Sequence, residues 1–158
     1  DSIVIPCSAE TELLLRKASK AGIVNYMPGQ DKFSIVENTE ILPQQQRALD
    51  VVKKVFSKIP STGIQKTLDT AIFSLLKFIV VFPVEDETKL TNKNGDVLPD
   101  AKLLPENSTA KDLASQIHAD IAKGFLYAID CKTKQRISSD HILNNGDVIK
   151  IVSTLSRG

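Results

Sequence analysis

Three runs decide how the second half of this sequence folds: Asp112-Leu-Ala-Ser-Gln-Ile-His118-Ala-Asp120, then Gly124-Phe-Leu-Tyr-Ala128, then Leu143-Asn-Asn-Gly-Asp147-Val-Ile-Lys-Ile-Val152. In the first, Leu113 and Ile117 recur at helical spacing and Ile121 continues the face. Ser108 or Thr109 offers a hydroxyl cap, and Asp112 sits in the first turn. The second and third carry β-branched and aromatic runs, at 125–131 and 148–152, and Asn145-Gly146-Asp147 is a tight-turn signal before the last one. Upstream, 78–84 reads as a strand and 101–104 as a weaker one. Two strands, a helix, then further strands within residues 78–158 predict a β-grasp, a mixed sheet curled around one helix.

The texture changes on the N-terminal side of Phe78. Residues 3–7, Ile-Val-Ile-Pro-Cys, form a continuous apolar run of the kind found in a strand buried on both faces of a parallel sheet. Ser8 can cap a helix with Glu10 and Glu12 in its first turn, continuing through Leu13, Leu14, Leu15 and Ala18 until Gly22 stops it. A strand feeding a capped helix is half of an α/β unit, and no second parallel strand follows soon enough to complete the sheet. A second helix is expected from Pro43, with Leu49, Val52, Val55 and Phe56 on one face. A third should run from Gly63 to Lys77, with Ile64, Leu68, Ala71, Ile72, Leu75 and Leu76. Ile59-Pro60-Ser61-Thr62-Gly63 breaks the chain between them, so the two are expected to form an antiparallel hairpin.

Bulk properties exclude several classes. A length of 158 residues suits one medium or two small domains, and 42% hydrophobic with 25% charged residues is ordinary globular composition. The formal net charge of +1 lacks the field of a dedicated nucleic-acid binder, so DNA is not an expected partner and any RNA contact needs a local patch. The longest apolar stretch, Phe78 to Val84, is too short to cross a bilayer. Cys7 and Cys131 lie far apart in strand-like runs, where buried inert thiols are usual. No disulfide framework or zinc site is indicated, and a reducing cytoplasm fits best. The opening Asp1-Ser2, running straight into Ile-Val-Ile, suggests a piece of something larger.

The three runs quoted first, in that order, resemble the TGS domain, the ubiquitin-like module named for threonyl-tRNA synthetases, GTPases and SpoT-type enzymes. Val84-Glu-Asp-Glu-Thr-Lys-Leu-Thr91, with Gly95 and Val97-Leu-Pro-Asp100, resembles more narrowly the archaeal and eukaryotic YchF-like branch of the Obg GTPases. Pro6-Cys-Ser8-Ala9-Glu10-Thr-Glu12 is similar to the fifth guanine motif of GTPases, a Ser-Ala turn leaving a strand. The resemblance implies an α+β chain: the strand–helix end of an α/β GTPase domain over 1–36, a helical hairpin region over 37–77, and a TGS β-grasp over 78–158. It also implies nucleotide contact at Ser8, Ala9 and Glu10, where a backbone N–H after the Ser-Ala turn holds the guanine oxygen.

Departures from the family pattern matter as much. The sequence has no Gly-rich phosphate loop with its Lys-Ser/Thr, no Asp-x-x-Gly and no Asn-Lys-x-Asp. Phosphoryl transfer depends on those parts to place phosphates and magnesium. These residues alone are therefore expected to be no enzyme and to hold no cofactor or metal, while GTP or ATP with Mg2+ and the hydrolysis belong to the parent protein.

Candidate chemistry elsewhere is sparse. His118 and Asp120, two residues apart on one helix, would point about 200° apart, so His118 is expected to be a structural or helix-end residue and no catalytic residue is assigned. His141, among Ser138, Ser139 and Asp140 in a turn-like stretch, has no evident partner, and Glu85-Asp86-Glu87 lacks calcium-loop spacing and reads as a solvated connection. The informative feature is basic. Lys123, Lys132, Lys134 and Arg136 face only Asp130, a local balance of +3, with Tyr127 nearby to stack on an unpaired base and Phe125 assigned to the core. These five residues, Lys123, Tyr127, Lys132, Lys134 and Arg136, are the candidate partner surface.

The leading expectation is a docking module for the ribosome, for rRNA or tRNA, or for a translation-associated protein, with the absent nucleotide domain as a further partner. The rival is an intramolecular regulator covering the nucleotide site. A third reading, a ubiquitin-like carrier ending in glycine, is disfavoured because the tail is Ser156-Arg157-Gly158 without paired glycines.

Overall fold

Local capping and apolar spacing shape two units, Asp1–Ala71 and Ile72–Gly158, in the computed structural model, which describes residues 2–155. The terminal Ser156-Arg157-Gly158 on which the carrier reading rested lies outside the described residues.

In the first unit, α1 spans Ala9–Lys20 with Ser8 as its N-cap, Glu10 and Glu12 in the first turn and Lys17 and Lys20 in the last, signs that complement the helix dipole. Gly22 follows at the stop, and its N–H donates to the Ser19 carbonyl. Two short strands that sequence periodicity did not reveal, β1 (Val24–Asn25) and β2 (Ser34–Ile35), pair antiparallel. Helix α2, Pro43–Phe56, starts at its proline as expected, with the Leu42 N–H donating to Gln45 Oε1. Leu15, Val24, Leu49 and Val52 form the core, lined by Tyr26, Phe33 and Phe56, and Phe33 meets Phe56 edge-on at 6.3 Å between centroids.

Two expectations change here. Residues 3–7 form no strand among the described residues: Ile3 is 57% and Val4 87% exposed, and Cys7 is exposed rather than buried. A strand buried on both faces exists only between sheet neighbours, and none lies beside this one among the described residues. The third helix is short. Helix α3 covers Ile64–Asp69, and Thr70–Leu75 then widens into π-helix. A π turn breaks the 3.6-residue period, and none of the residues expected on its apolar face is buried; Leu68, Leu75 and Leu76 are exposed. The two helices follow one another across the 57–63 break, but the buried side of α2 closes on α1 and β1.

In the second unit a five-stranded sheet forms from β3 (Phe78–Val84), β4 (Lys102–Pro105), β5 (Phe125–Asp130), β6 (Gln135–Ile137) and β7 (Asp147–Ser153), in the order β4-β3-β7-β5-β6. The central β3 and β7 are parallel and the other pairs antiparallel. This is the expected β-grasp. Its core unites Ile79, Val81, Leu104, Ala128, Ile137 and Ile149 from the sheet with Ala110 and Leu113 from α4 (Ala110–Ile117). Asn145 and Gly146 do more than turn the chain: Asn145 Oδ1 accepts from the Val80 N–H and the Gly146 N–H donates to the Val80 carbonyl, fixing β7 beside β3. Gly146 has φ +85, a left-handed conformation that glycine adopts freely.

The helix is not continuous. His118 is extended at φ −167, and a second short helix, α5 (Ala119–Lys123), follows it. His118 Nδ1 accepts from the Asp120 N–H at 3.2 Å, and the Asp120 carboxylate lies 3.6 Å from the same nitrogen. The expected 200° divergence of His118 and Asp120 therefore does not hold, because it assumed one uninterrupted helix. His118 is the helix-end residue it was read to be.

Candidate functional site

The Ser8-Ala9-Glu10 segment is built from the start of α1 outward. Ser8 Oγ accepts from the Thr11 N–H at 3.4 Å and lies 2.8 Å from Thr11 Oγ1, while the Glu12 N–H donates to the Ser8 carbonyl. The Ala9 and Glu10 N–H groups, in the same first turn, have no capping partner among the described residues. Such free N–H groups at a helix N-terminus suit a carbonyl or carboxylate oxygen, and a guanine carbonyl is an acceptor of that kind. The Glu10 side chain is exposed.

What holds this loop was not visible beforehand. The Ser8 N–H donates to the Thr62 carbonyl at 2.8 Å, and Thr62 Oγ1 donates to Glu12 Oε2 at 2.6 Å. Tyr26 OH donates to the same oxygen at 2.8 Å and Arg16 Nε to Oε1 at 2.7 Å. Burial alone raises the Glu12 pKa. The hydrogen bonds from Thr62, Arg16 and Tyr26, with the Arg16 charge, outweigh it and hold the carboxyl below its ordinary value. Tyr26 moves up, through burial and its bond to the carboxylate. Sequence carries no signal that Glu12 and Thr62, fifty residues apart, share a hydrogen bond.

The basic candidates are only partly brought together. Lys132 and Lys134 lie in the turn of the β5–β6 hairpin and Arg136 within β6, a strand that the sequence pattern does not predict. Asp130 shapes that turn: Oδ1 accepts from the Lys132 N–H at 2.9 Å and Oδ2 from Thr133 Oγ1 at 2.7 Å. These bonds outweigh the burial that raises its pKa and hold it low. Lys123 stands apart, at the end of α5 and 3.5 Å from Asp120. The six residues of β5, at about 3.3 Å each, separate it from the turn by about 20 Å.

Tyr127 and Arg136 meet on the outer face of the sheet. Ala128 and Ile137 point to the core as paired neighbours, so pleating turns Tyr127, Ile129 and Arg136 the other way. The Arg136 guanidinium sits over the Tyr127 ring, 4.4 Å from its centroid. Phe125 packs against the core as expected, and a bulge in the pairing with β7 between Phe125 and Tyr127 accounts for the change of face.

Folding also brings acids that a linear count missed. Lys132 Nζ is 3.7 Å from Asp147, Lys134 Nζ donates to the Glu87 carbonyl, and Lys150 pairs with the Glu87 carboxylate, lowering its pKa. With Lys123 set apart, Lys132, Lys134 and Arg136 against Asp130 leave the hairpin at +2, and bringing in Lys150, Asp147 and Glu87 makes it four cations against three carboxylates, or +1. The acidic run is spoken for: Asp86 Oδ1 accepts from the Thr88 and Lys89 N–H groups, closing a turn. His141 is exposed in the loop that supplies carbonyls to the start of α4. Cys131 is buried one residue beyond β5, its thiol pushed up by burial.

The profile of the Obg-like GTPase YGR210-like, G4 motif-containing domain matches residues 1–86, more than half of the chain, and the TGS domain profile matches 93–153. The chain belongs to the YGR210-like Obg-like GTPases. Its β-grasp is a TGS domain. It is 46% identical over 153 residues to a GTP-binding protein of Methanocaldococcus jannaschii, covering 97% of this chain and 38% of that protein. It is similar to the crystal structure of a GTP binding protein from Pyrococcus horikoshii, with 41% identity and a TM-score of 0.69 over 96% of this chain and 38% of the other. The chain thus spans well under half the length of these relatives. The family is named for a G4 motif, and the sequence has no Asn-Lys-x-Asp.

Proposed function

We propose that this chain is the C-terminal region of a GTP-binding, translation-associated protein of the reducing cytoplasm, whose TGS domain docks it on the ribosome through RNA. One observation carries the docking reading: Arg136 stacked on Tyr127 at 4.4 Å on the outer sheet face, beside the Lys132–Lys134 turn. An aromatic ring with a guanidinium over it, flanked by exposed lysines, suits an unpaired base with its phosphates. The parent's nucleotide, GTP or ATP with Mg2+, supplies the phosphoryl chemistry when bound. From this chain the Ser8-Ala9 loop contributes donors toward the base, which the two uncapped first-turn N–H groups support.

The test reverses Lys132, Lys134 and Arg136 to glutamate in the intact protein and measures ribosome co-sedimentation across a salt series. The expected result is loss of association. The unmodified protein should show a slope of about −0.7 in log K against log salt for each single-strand phosphate contact. A flat salt response removes the electrostatic part of the proposal. The near-balance of charge around Glu87 favours one rival, an intramolecular regulator acting on nucleotide turnover. An altered GTPase rate with ribosome association intact would select it.

A further inference from the structure

The Pro60–Gly63 break reads in sequence as no more than a helix interruption, yet its backbone lies directly behind the Ser8-Ala9 loop. Thr62 is fully buried, accepts the Ser8 N–H through its carbonyl and anchors its hydroxyl on Glu12. Gly63 is buried at φ +78, and a Cβ there would lie 2.1 Å from the Pro6 carbonyl oxygen and 2.9 Å from Cys7 Cα. No side chain fits at that approach, and the obstacle is backbone, which cannot swing aside. Gly63 is also the N-cap of α3, with its carbonyl accepting the Thr67 N–H and hydroxyl at 2.9 Å each. One dipeptide therefore fixes the peptide preceding Ser8 from behind and starts the next helix.

We propose that Thr62 and Gly63 are positioning residues for base recognition: by holding the Pro6–Ser8 backbone they set the direction of the Ala9 and Glu10 N–H groups, and with it the preference for guanine over adenine. This rests on the reading of the Ser8-Ala9 loop as a base-binding turn. Both act through the Pro6–Ser8 backbone. A misdirected donor loses the guanine carbonyl specifically, because adenine offers an amino group at that position. A general loss of folding would not favour one base over the other.

The experiment uses the intact protein, with GDP and ADP affinities measured by titration and folding checked by circular dichroism. Ala9→Pro and Glu10→Pro each delete one first-turn N–H, at positions where no intrahelical hydrogen bond is lost. At least one of them should lower the GDP-to-ADP affinity ratio about tenfold, the scale of one lost hydrogen bond of about 1.4 kcal/mol. Gly63→Ala and Thr62→Val should lower the same ratio by a similar factor, and Thr62→Ser, which keeps the hydroxyl, should restore it. If neither proline variant changes the ratio, the base-binding reading fails and the proposal with it. If a proline variant does and Thr62→Val and Gly63→Ala bind both nucleotides as the parent does, the positioning role is overturned while the base-binding reading stands. Should Gly63→Ala fail to fold, the Thr62→Val and Thr62→Ser pair decides.

Discussion

Glu12 shows how much one residue's chemistry depends on neighbours that sequence does not announce. A carboxylate 6% exposed would be costly if unpaired, and here it accepts from Thr62, Tyr26 and Arg16. Its folded pKa is depressed, so more protons bind the unfolded chain. The stabilisation is present above the unfolded value, about 4.3, and is lost as pH falls through the lower folded value. Glu12→Gln is expected to weaken the first unit by about 2 kcal/mol at neutral pH, the scale of a hydrogen bond to a charged group. It should also flatten the acid dependence of amide protection in α1. Glu87 and Asp130 shift in the same direction in the other unit, so amide exchange of α1 residues is the measurement that isolates Glu12. An acid limb in α1 unchanged by the substitution would refute this assignment. Glu10, two residues earlier, is exposed and was the acid that the motif reading singled out. The helix period places Glu12 inward, but the partner fifty residues on belongs to tertiary structure.

At the scale of elements, helix starts were legible because capping is local chemistry. Ser8, Pro43 and Thr109 all stand where hydroxyl, ring and apolar spacing predicted. Thr109 and Asp112 complete a reciprocal cap, with the Thr109 N–H donating to Asp112 Oδ2 at 2.8 Å and the Asp112 N–H to Thr109 Oγ1 at 3.3 Å. Two further N–H groups, of Ala110 and Lys111, are satisfied by the His141 and Ser139 carbonyls. Thr109→Ala should therefore cost about 1 kcal/mol, seen as a lower urea midpoint at unchanged slope, while Thr109→Ser should retain most of it. Helix ends proved harder. The His118 break and the π-helical 70–75 stretch follow no proline or glycine, so nothing in the local sequence marked them. Strand β6 was missed for a related reason: three residues, two of them exposed, are too few to show alternation.

At the scale of the whole molecule, each of the two units has its own principal core among the described residues, and the second adds a smaller cluster of Val84, Cys131 and Val148. Leu113 is fully buried among β-grasp residues and Leu49 is buried among α1, β1 and α2. Truncating either to alanine should cost about 3 kcal/mol at its own site. Amide exchange is expected to accelerate through β3, β5 and β7 for Leu113→Ala, and through α1 and α2 for Leu49→Ala. Equal acceleration in both sets from a single substitution would show one cooperative unit instead. Charge belongs to this scale as well. A count along residues 123–136 finds an excess of basic groups, yet Glu87 and Asp147 arrive from β-grasp segments distant in sequence and bring the hairpin surface close to balance.

Periodicity, caps and turn residues by themselves determined the β-grasp and the starts of its helix and of α1 and α2, and the quoted motif runs carried the resemblance to the family, because each is encoded over a few neighbouring positions. Tertiary structure alone decided which groups meet: Thr62 with Glu12 and Ser8, Arg136 with Tyr127, Lys150 with Glu87. Hydrogen bonds and ion pairs act over a few ångströms in space, and linear order records no such distance between residues brought together only by packing.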